Sequence, residues 1–365
     1  MPRLSPVTIH SPAVQFVASP VLDMMNAMYF TSLVPQMEGV SGWPEQLRRE
    51  MSPELLAELD ALYNYPAGDP GIMGIFGDNL FAHPALWGDV ESLVSYVRSM
   101  PLGIGNPPGS PGVQGLIHET TFRYPEDVDP AEYATLAPRD AVERRMRSLA
   151  DRDETEIMRL YDHPEELRER MAALIERVYA EHYRNEMPKR LSALQGSVAA
   201  HRSEGVADPE QIARRLTGKA KSCLEAGCAG PHQRHIFAPS PDMGVYNSCS
   251  IVAGTHGLFY PLEPEFLGVA VDVEETRLVG IYKALGDEQR LRILRMLSEQ
   301  ELYAQEIVER TGLHQSVVSR HLAFMKAVGL LNARKHNNMK FYSLNPAARE
   351  MLSGTLALFE PAATR

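Results

Sequence analysis

Apolar residues recur at intervals of three and four along much of the chain, the spacing that places them on one face of an α-helix. The stretch 162–183 shows this most clearly, and its first turn carries a proline and two glutamates, which favour a helix N-terminus. Its shared apolar face consists of Leu167, Met171, Leu174, Ile175, Val178 and Tyr179. Two further helices are predicted to begin at the capping residues Ser19 and Asp208.

Short apolar runs predict β-strands in two places before residue 270. Residues 13–20, AVQFVASP, favour one short strand, and residues 234–264 favour two short segments joined by a Pro/Gly turn. The fold class predicted for the whole chain is therefore mainly α with small β.

The last part of the chain has a different order of elements. Helices are predicted at 274–285, 288–297, 303–311 and 315–328, followed by two β-like runs on either side of Asn337 and Asn338. In the second helix Leu291, Leu294 and Leu297 are expected on one face, and the fourth helix buries Val318, Leu322 and Met325. A helix, a short turn at Gly312, a second helix and a basic hairpin predict a winged helix-turn-helix. We place the boundary near Asp272, which gives two domains, 1–271 and 272–365.

Charge changes the picture of the second domain. The chain has a net charge of −11, but residues 310–349 contain no acidic residue. The basic residues of this stretch are Arg310, Arg320, Lys326, Arg334, Lys335, Lys340 and Arg349. A basic stripe on an acidic protein predicts a polyanionic partner, here double-stranded DNA; the alternative is a solvated face.

The opening turns of the helix at 315–328 carry side chains suited to reading DNA. Glutamine pairs with adenine, arginine with guanine, and serine with bases or phosphates. The predicted recognition residues are Gln315, Ser316, Ser319, Arg320 and His321. Arg334, Lys335 and Lys340 are expected on the phosphate backbone. Ser316 and Ser319 have an alternative role in capping or packing the helix, and His321 an alternative role in bracing the turn.

Residues 284–344 closely resemble the winged helix of the ArsR/SmtB family of bacterial transcriptional repressors. The similar segments are ALGDEQRLRIL, GLHQSVVSRHL, AVGLL and KFYSL. The resemblance implies a homodimer on a palindromic operator that represses until an inducer binds. It also implies a last dimerisation helix, for which AAREMLSGTLALF is the candidate, although packing within one chain suits this helix equally.

Two metal sites implied by that resemblance lack their ligands in this sequence. The Cys-x-Cys pair of the third helix is absent from ELYAQEI, and residues 346–359 contain neither His nor Asp. The long first domain instead resembles the N-terminal region of a subset of these regulators and is expected to be the sensor or effector part.

Cysteines and histidines in the first domain are the candidate ligands of a metal or metal-bearing cofactor. Cys223, Cys228, His232 and His235 lie close in sequence, with Cys249 and His256 downstream. Thiolate and imidazole suit zinc or iron. The alternatives are buried small residues with ordinary polar histidines, or a redox switch between Cys223 and Cys228.

Apolar residues near the N-terminus allow two interpretations, a ligand pocket or an ordinary core. They are Met24, Met25, Met28, Phe30, Met73, Phe76, Phe81 and Trp87. No catalytic motif is recognisable. The sequence therefore predicts a cytoplasmic, dimeric DNA-binding repressor, not an enzyme, with no membrane segment and an unidentified small-molecule effector or cofactor in its N-terminal domain. The alternative is a metabolite-processing enzyme tethered to an autoregulatory DNA-binding module.

Overall fold

The computed structural model describes residues 14–37, 39–40, 42–65, 69–105, 111–122, 130–148, 154–202, 208–217, 234–267, 273–336 and 339–348. The chain divides into two compact units. Unit 1 comprises Met1–Val34, Ser41–Met243 and Ser248–Leu262, and unit 2 comprises Pro35–Val40, Gly244–Asn247 and Glu263–Arg365. Asp272 lies outside the described residues, so the division at 271/272 stays a prediction.

Unit 1 is mainly helical, as the apolar spacing predicted. Its α-helices are α1 Pro20–Leu33, α2 Trp43–Glu50, α3 Pro53–Tyr63, α4 Ile72–Asn79, α5 Val90–Ser99, α6 Val113–Thr121, α7 Pro130–Tyr133, α8 Pro138–Arg147, α9 Glu154–Asp162, α10 Pro164–Val178, α11 Arg184–Arg202 and α12 Pro209–Thr217. A π-helical turn, Tyr179–Tyr183, joins α10 to α11, and two short 3-10 turns, Leu80–Ala82 and Pro84–Leu86, follow α4.

The predicted helix starts are confirmed. The Ser19 hydroxyl accepts a hydrogen bond from the Leu22 N–H at 3.1 Å, and Pro20 occupies the first position of α1, where its missing N–H costs nothing. Asp208 accepts from the Glu210 N–H at 3.0 Å before α12. In α10 the predicted apolar face is buried from Leu167 to Val178, while Tyr179 is half-buried.

Four strands of unit 1 form one sheet. They are β1 Val14–Phe16, β4 Arg234–Ser240, β5 Ser248–Val252 and β6 Thr255–Pro261, while β2 Asn64–Tyr65 and β3 Asp69–Pro70 form a separate hairpin. The strand order is β1-β4-β6-β5, with β4 parallel to both β1 and β6, and β5 antiparallel to β6. The expectation of two β segments in 234–264 was wrong, because a turn at Ala253–Gly254 splits the second run into β5 and β6.

Helices cover both faces of this sheet. One face packs on α12 in an apolar cluster of Val14, Ile212, Ala213, Phe237, Leu258 and Tyr260. On the other face Gly257 meets Phe81, where an added Cβ would come within 2.4 Å of the buried ring. Glycine at 257 is therefore what allows the ring to approach the strand. The eight apolar residues for which the sequence allowed either a ligand pocket or an ordinary core are all buried.

A buried ionic network ties three parts of unit 1 together. The Arg190 guanidinium on α11 donates to both carboxylate oxygens of Asp23 on α1, at 2.7 and 2.8 Å, and also to Asp242 beyond β4. The Tyr183 hydroxyl donates to Asp23 at 2.6 Å, and the Trp43 ring lies 4.8 Å from the guanidinium carbon. Burial raises the pKa of Asp242 above its ordinary value, against the opposing effect of Arg190. We call Asp23, Tyr183, Arg190 and Asp242 the buried ionic network.

Unit 2 has the element order predicted for a winged helix-turn-helix. A 3-10 turn, Pro264–Leu267, precedes the helices α13 Val273–Leu285, α14 Glu288–Glu299, α15 Ala304–Thr311 and α16 Gln315–Ala327. The strands β7 Leu302–Tyr303, β8 Leu331–His336 and β9 Met339–Leu344 form a sheet in the order β7-β9-β8. The candidate final helix and the hairpin tip at Asn337 and Asn338 lie outside the described residues.

The buried face of α14 differs from the predicted one. Ile293 and Leu297 are buried, but Leu291 is 47% exposed and Leu294 is half-buried. The reason is Arg290, which is itself buried and donates to the carbonyls of Lys283 and Ala284 at 2.6 and 3.0 Å. It thereby caps the end of α13 and takes a buried position of α14, while Leu291 beside it is exposed.

Two short segments from earlier in the chain belong to unit 2. The Gly39 backbone lies beside the Phe324 ring, since a Cβ built on Gly39 would be 2.9 Å from the ring edge. A Cβ on Gly280 would lie 3.2 Å from both Val245 and Val328. The back of α16 and the middle of α13 therefore pack against chain that the sequence assigned to the first domain.

Candidate nucleic-acid interface

The turn between α15 and α16 is built by Gly312. Its φ of 69° ends α15 in the left-handed conformation, and its N–H donates to the Val308 carbonyl at 2.9 Å. This ending suits glycine because other side chains are strained at such a φ. The chain then needs only Leu313 and His314 before α16 begins, so the two helices form a compact helix-turn-helix.

Helix α16 presents a polar face and buries an apolar one. Gln315, Ser316, Ser319 and Arg320 are exposed, whereas Val318, Leu322 and Met325 are buried as predicted. The exposed positions recur at i, i+1, i+4 and i+5, so they share one side of the first turns. This is the part of a recognition helix that enters a major groove.

Two of the predicted recognition residues also act within the protein. The Ser316 hydroxyl is 2.9 Å from Nδ1 of His314, the N-cap residue of α16, so Ser316 takes part in the cap that the sequence left open as its alternative role. His321 is half-buried, and its charge contributes to the electrostatic environment of Asp287. Ser316 is therefore exposed but bonded within the protein and His321 is half-buried, while Gln315, Ser319 and Arg320 are exposed candidates.

Asp287 caps α14 through its carboxylate. The Arg290 N–H donates to Oδ1 at 2.9 Å. Burial acts to raise the pKa of Asp287, but the hydrogen bond from Arg290 and the charges of Arg290 and His321 outweigh it and hold the pKa below its ordinary value. A carboxyl whose folded-state pKa is depressed adds stability above its unfolded pKa and loses that stability as pH falls through the folded pKa.

We expect Asp287→Ala to lower the free energy of unfolding by about 1 kcal/mol at neutral pH, because an N-cap is lost. Asp287→Asn should keep most of the stability at neutral pH, since asparagine caps equally well, but lose its acid dependence. Urea unfolding of both variants between pH 3 and pH 7 measures the two effects. Equal acid sensitivity of Asp287→Asn and the wild type would assign that sensitivity to other groups.

The wing brings two lysines to directly opposite positions. In the β8–β9 register Lys335 pairs with Lys340, and Arg334 pairs with Phe341. Like charges opposite each other destabilise a hairpin unless a counter-charge is present. Lys340 is exposed, with its ammonium 5.7 Å from the Tyr342 ring centre, whereas the Lys335 side chain lies outside the described residues.

Arg334 is engaged by a carboxylate from outside the basic stretch 310–349. Its guanidinium donates from Nε to both oxygens of Glu301 at 2.8 and 3.0 Å, pairs with it again through Nη2, and lies 4.9 Å from the Phe341 ring centre. Glu301 directly precedes β7, the strand beside β9. Because the pair spans 33 residues, only the sheet order reveals it.

We expect Glu301→Gln to strengthen DNA binding, because it releases Arg334 for phosphate contact and removes a negative charge beside the wing. The slope of log affinity against log salt should steepen by about one unit, the value for one added phosphate contact. Fluorescence anisotropy with a duplex at several salt concentrations measures it. Glu299→Gln removes a charge from the end of α14 and is the matched control; an equal gain in both variants would leave only a net-charge effect.

Of the predicted metal ligands, only His235 lies among the described residues; Cys223, Cys228 and His232 lie outside them. His235 is buried on β4, and its Nδ1 is 3.4 Å from Nδ1 of His256 on β6. Cys249 on β5 is half-buried against the apolar cluster of the same sheet. The described ranges contain no group of three or more His, Cys, Asp or Glu placed to hold a metal ion.

The arrangement of α15, α16 and the β8–β9 wing is that of winged helix-turn-helix proteins. Residues 287–333 match the family described as bacterial regulatory protein, arsR family. The chain is 37% identical over 87 residues to the transcriptional activator HlyU of Vibrio cholerae, covering 22% of this chain and 81% of that protein. The chain belongs to the arsR family of bacterial regulatory proteins.

A second relative and two solved structures are similar over the same share of the chain. The arsenical resistance operon repressor of Escherichia coli is 38% identical over 69 residues, covering 19% of this chain and 59% of that protein. The structure of HlyU from Vibrio cholerae is 34% identical over 24% of this chain and 98% of its own, with a TM-score of 0.21. A homodimeric winged helix-turn-helix DNA-binding domain from Mycobacterium bovis is 26% identical over 24% of this chain and 85% of its own, with a TM-score of 0.20.

Among the described helices, none has the length and apolar character that a membrane crossing requires.

Proposed function

We propose that this protein is a transcriptional repressor that binds operator DNA as a homodimer and is controlled by a small molecule or cofactor held in unit 1. The observation that carries the DNA-binding part is the exposed face of α16. Gln315, Ser319 and Arg320 stand on it, in a stretch that has no acidic residue from 310 to 349. Their amide, hydroxyl and guanidinium groups match the donors and acceptors of base edges in the major groove.

The wing supports phosphate contacts beside that groove. Lys335 and Lys340 occupy opposite positions in the register of the hairpin, so a polyanion that lies along the wing would meet both positions together. Each such lysine releases counterions from DNA, so its contribution weakens as salt rises.

Apolar side chains exposed on unit 2 support self-association. Val279 and Tyr282 on α13 are 45% and 42% exposed, and Leu291 on α14 is 47% exposed. Val279 and Tyr282 lie three residues apart on α13 and are therefore neighbours on its surface, and adjoining exposed apolar side chains favour a protein–protein contact. The Mycobacterium bovis domain is itself described as homodimeric. A dimer on DNA requires two half-sites about one helical turn apart, so the operator should be a palindrome.

Whether the bound protein lowers or raises transcription, and whether a ligand of unit 1 controls it, are two parts of the proposal that need a test. The two relatives named above are an activator and a repressor, so similarity alone does not choose between them. In our proposal, a promoter carrying the palindrome is transcribed less when the protein is added, and a ligand bound to unit 1 changes the operator affinity. Transcription in vitro with the purified protein measures this, and increased transcript would make it an activator.

We expect Arg320→Ala to weaken operator binding by about 5- to 150-fold, the equivalent of about 1–3 kcal/mol for one base contact, while binding to shuffled DNA changes little. Arg292→Ala, which removes an exposed arginine from α14, is the matched control and should bind both duplexes as the wild type does. Fluorescence anisotropy measures both affinities, one with a duplex from the DNA upstream of the gene for this protein and one with a shuffled duplex of the same composition. Equal affinity of the wild type for the two duplexes would contradict operator recognition.

A further inference from the structure

One buried amide in unit 1 has a hydrogen-bonding atom without a partner. Asn79, the last residue of α4, is 3% exposed, and its Nδ2 donates to the Ile75 carbonyl at 2.9 Å and to Oε2 of Glu119 on α6 at 3.0 Å. Both partners are acceptors, so they fix which end of the amide is the nitrogen. Oδ1 of Asn79 is buried and accepts no hydrogen bond from the described residues. A buried acceptor without a donor costs free energy, so an added N–H or O–H group is favoured beside this atom.

Glu119 places a negative charge next to that amide. In the ranges that the structure describes, its carboxylate accepts from Asn79 and forms no ion pair. The neighbouring His118 is half-buried, and burial lowers the pKa of its imidazole, so it is neutral at pH 7 and adds no positive charge. The carboxylate is therefore available to a cation.

The unpartnered amide oxygen and the carboxylate lie close enough for one nitrogen to bond both. The C=O and C–N bond lengths place the oxygen and nitrogen of an amide about 2.2 Å apart. Since Nδ2 of Asn79 is 3.0 Å from Oε2 of Glu119, Oδ1 of Asn79 is at most about 5.2 Å from that oxygen. A nitrogen that donates to two oxygens at about 2.9 Å each can join atoms up to about 5.8 Å apart. One ammonium group can therefore donate to both.

Both side chains belong to the last turns of their helices. Asn79 ends α4, and Glu119 lies two residues before the end of α6 at Thr121. The carbonyl groups of a helix C-terminus carry partial negative charge, which favours a cation. Glu119 is half-buried, so a cation from solvent meets its carboxylate before it reaches Asn79. Two acceptors, one negative charge and two helix ends together select a positively charged donor.

We propose that Oδ1 of Asn79 and the carboxylate of Glu119 bind the protonated primary amine of a small molecule. An ammonium group supplies three N–H donors and a positive charge, whereas a water molecule supplies donors without the charge. The site gives a chemical class to the ligand that the proposed function places in unit 1, and in that respect it rests on the proposed function.

Thermal unfolding of the full chain with methylammonium or putrescine chloride tests the site, with sodium and tetramethylammonium chlorides at equal ionic strength as controls. Tetramethylammonium has the charge of methylammonium but no N–H donor. We expect a saturable rise in the melting temperature with the two primary amines alone, because a ligand that binds only the folded state stabilises it. The fluorescence of Trp87 should report the same binding, because its indole N–H donates at 2.7 Å to the carbonyl of Leu80, the residue after Asn79.

Glu119→Gln removes the charge of the site and keeps a side-chain carbonyl for the Asn79 amide. It should weaken amine binding by about tenfold or more, the range for a hydrogen bond to a charged group. Glu91→Gln, at an exposed glutamate of α5, is the matched control and should bind the amines as the wild type does.

Two results with the wild type overturn the site whether or not a variant folds. One is an equal response to tetramethylammonium, and the other is no response to either amine, which would leave a water molecule as the partner of Asn79. Unchanged amine affinity in a folded Glu119→Gln overturns it as well. These measurements contain no DNA, so their failure leaves operator recognition untouched, and a failure of operator binding leaves the amine site untouched.

Discussion

Arg190→Ala is expected to lower the free energy of unfolding of unit 1 by about 3–5 kcal/mol, the usual cost of removing one partner from a buried ion pair. The substitution would leave Asp23 and Asp242 as two carboxylates, 1% and 2% exposed, without the guanidinium that bonds both. It would also remove the cation beside the Trp43 ring. The chain's two tryptophans, Trp43 and Trp87, both lie in unit 1, so tryptophan fluorescence during urea unfolding reports on this unit.

Two further variants distinguish two causes of the lost stability, buried carboxylates without a cationic partner and lost packing. If the unpaired carboxylates are the cause, adding Asp23→Asn and Asp242→Asn to Arg190→Met should recover part of the stability. The loss in Arg190→Met alone should also shrink as pH falls, because burial raises the folded-state pKa of the Asp242 carboxyl, which then takes up a proton more readily than in the unfolded chain. Arg98→Met, which breaks an exposed pair with Glu176, should change little. A loss that is independent of pH and not rescued would assign the effect to packing.

Phe324→Ala is expected to destabilise unit 2 by about 3–5 kcal/mol, the usual range for deleting a buried aromatic ring. The ring is 1% exposed, lies 5.0 Å from the Arg290 guanidinium carbon and contacts the Gly39 backbone. Its loss would leave a cavity behind α16 and uncover a buried cation. The polar face of α16 would then lose its rigid support, so operator affinity should fall although no DNA-facing residue has changed.

Hydrogen exchange followed by mass spectrometry distinguishes this effect from that of a base contact. Peptides covering α16 should lose protection in Phe324→Ala but keep it in Arg320→Ala, while both variants bind the operator less tightly. Phe324→Leu retains most of the apolar volume and should show a smaller loss of both protection and affinity. Wild-type protection of α16 in Phe324→Ala would show that other contacts hold the helix.

Local patterns in the sequence predicted most of unit 2. The helix break at Gly312, the buried positions of α16 and the two wing strands follow from capping residues, three-to-four spacing and β-like runs, each of which acts within a few residues. The inner face of α14 was mistaken because Arg290, a charged residue, is buried there. Its partners are carbonyl groups at the end of α13. Every residue has a backbone carbonyl, so the pattern of side chains cannot indicate which carbonyls accept these hydrogen bonds.

Long-range pairing accounts for the features of unit 1 that the sequence did not predict. Asp23 and Arg190 are separated by 167 residues, and His235 meets His256 only because β4 and β6 pair in one particular register. Nothing in local spacing identifies which of many aspartates will be buried or which histidines will face each other. The Cys/His cluster was chosen by proximity in sequence. It therefore included His235, but His256, the neighbour of His235 in the structure, was named only as a downstream residue.

Pro35–Val40 and Gly244–Asn247 have a consequence for how the protein is made. During synthesis Gly39 leaves the ribosome 285 residues before Phe324, the ring against which it packs. At about 5–20 residues per second the interval is roughly 15–60 s. The winged helix therefore cannot complete its packing until the N-terminal segment, synthesised long before, is in place to receive it. A chain stalled shortly before Phe324 would carry that segment without its partner, so unit 2 cannot finish assembling before Phe324 has been synthesised.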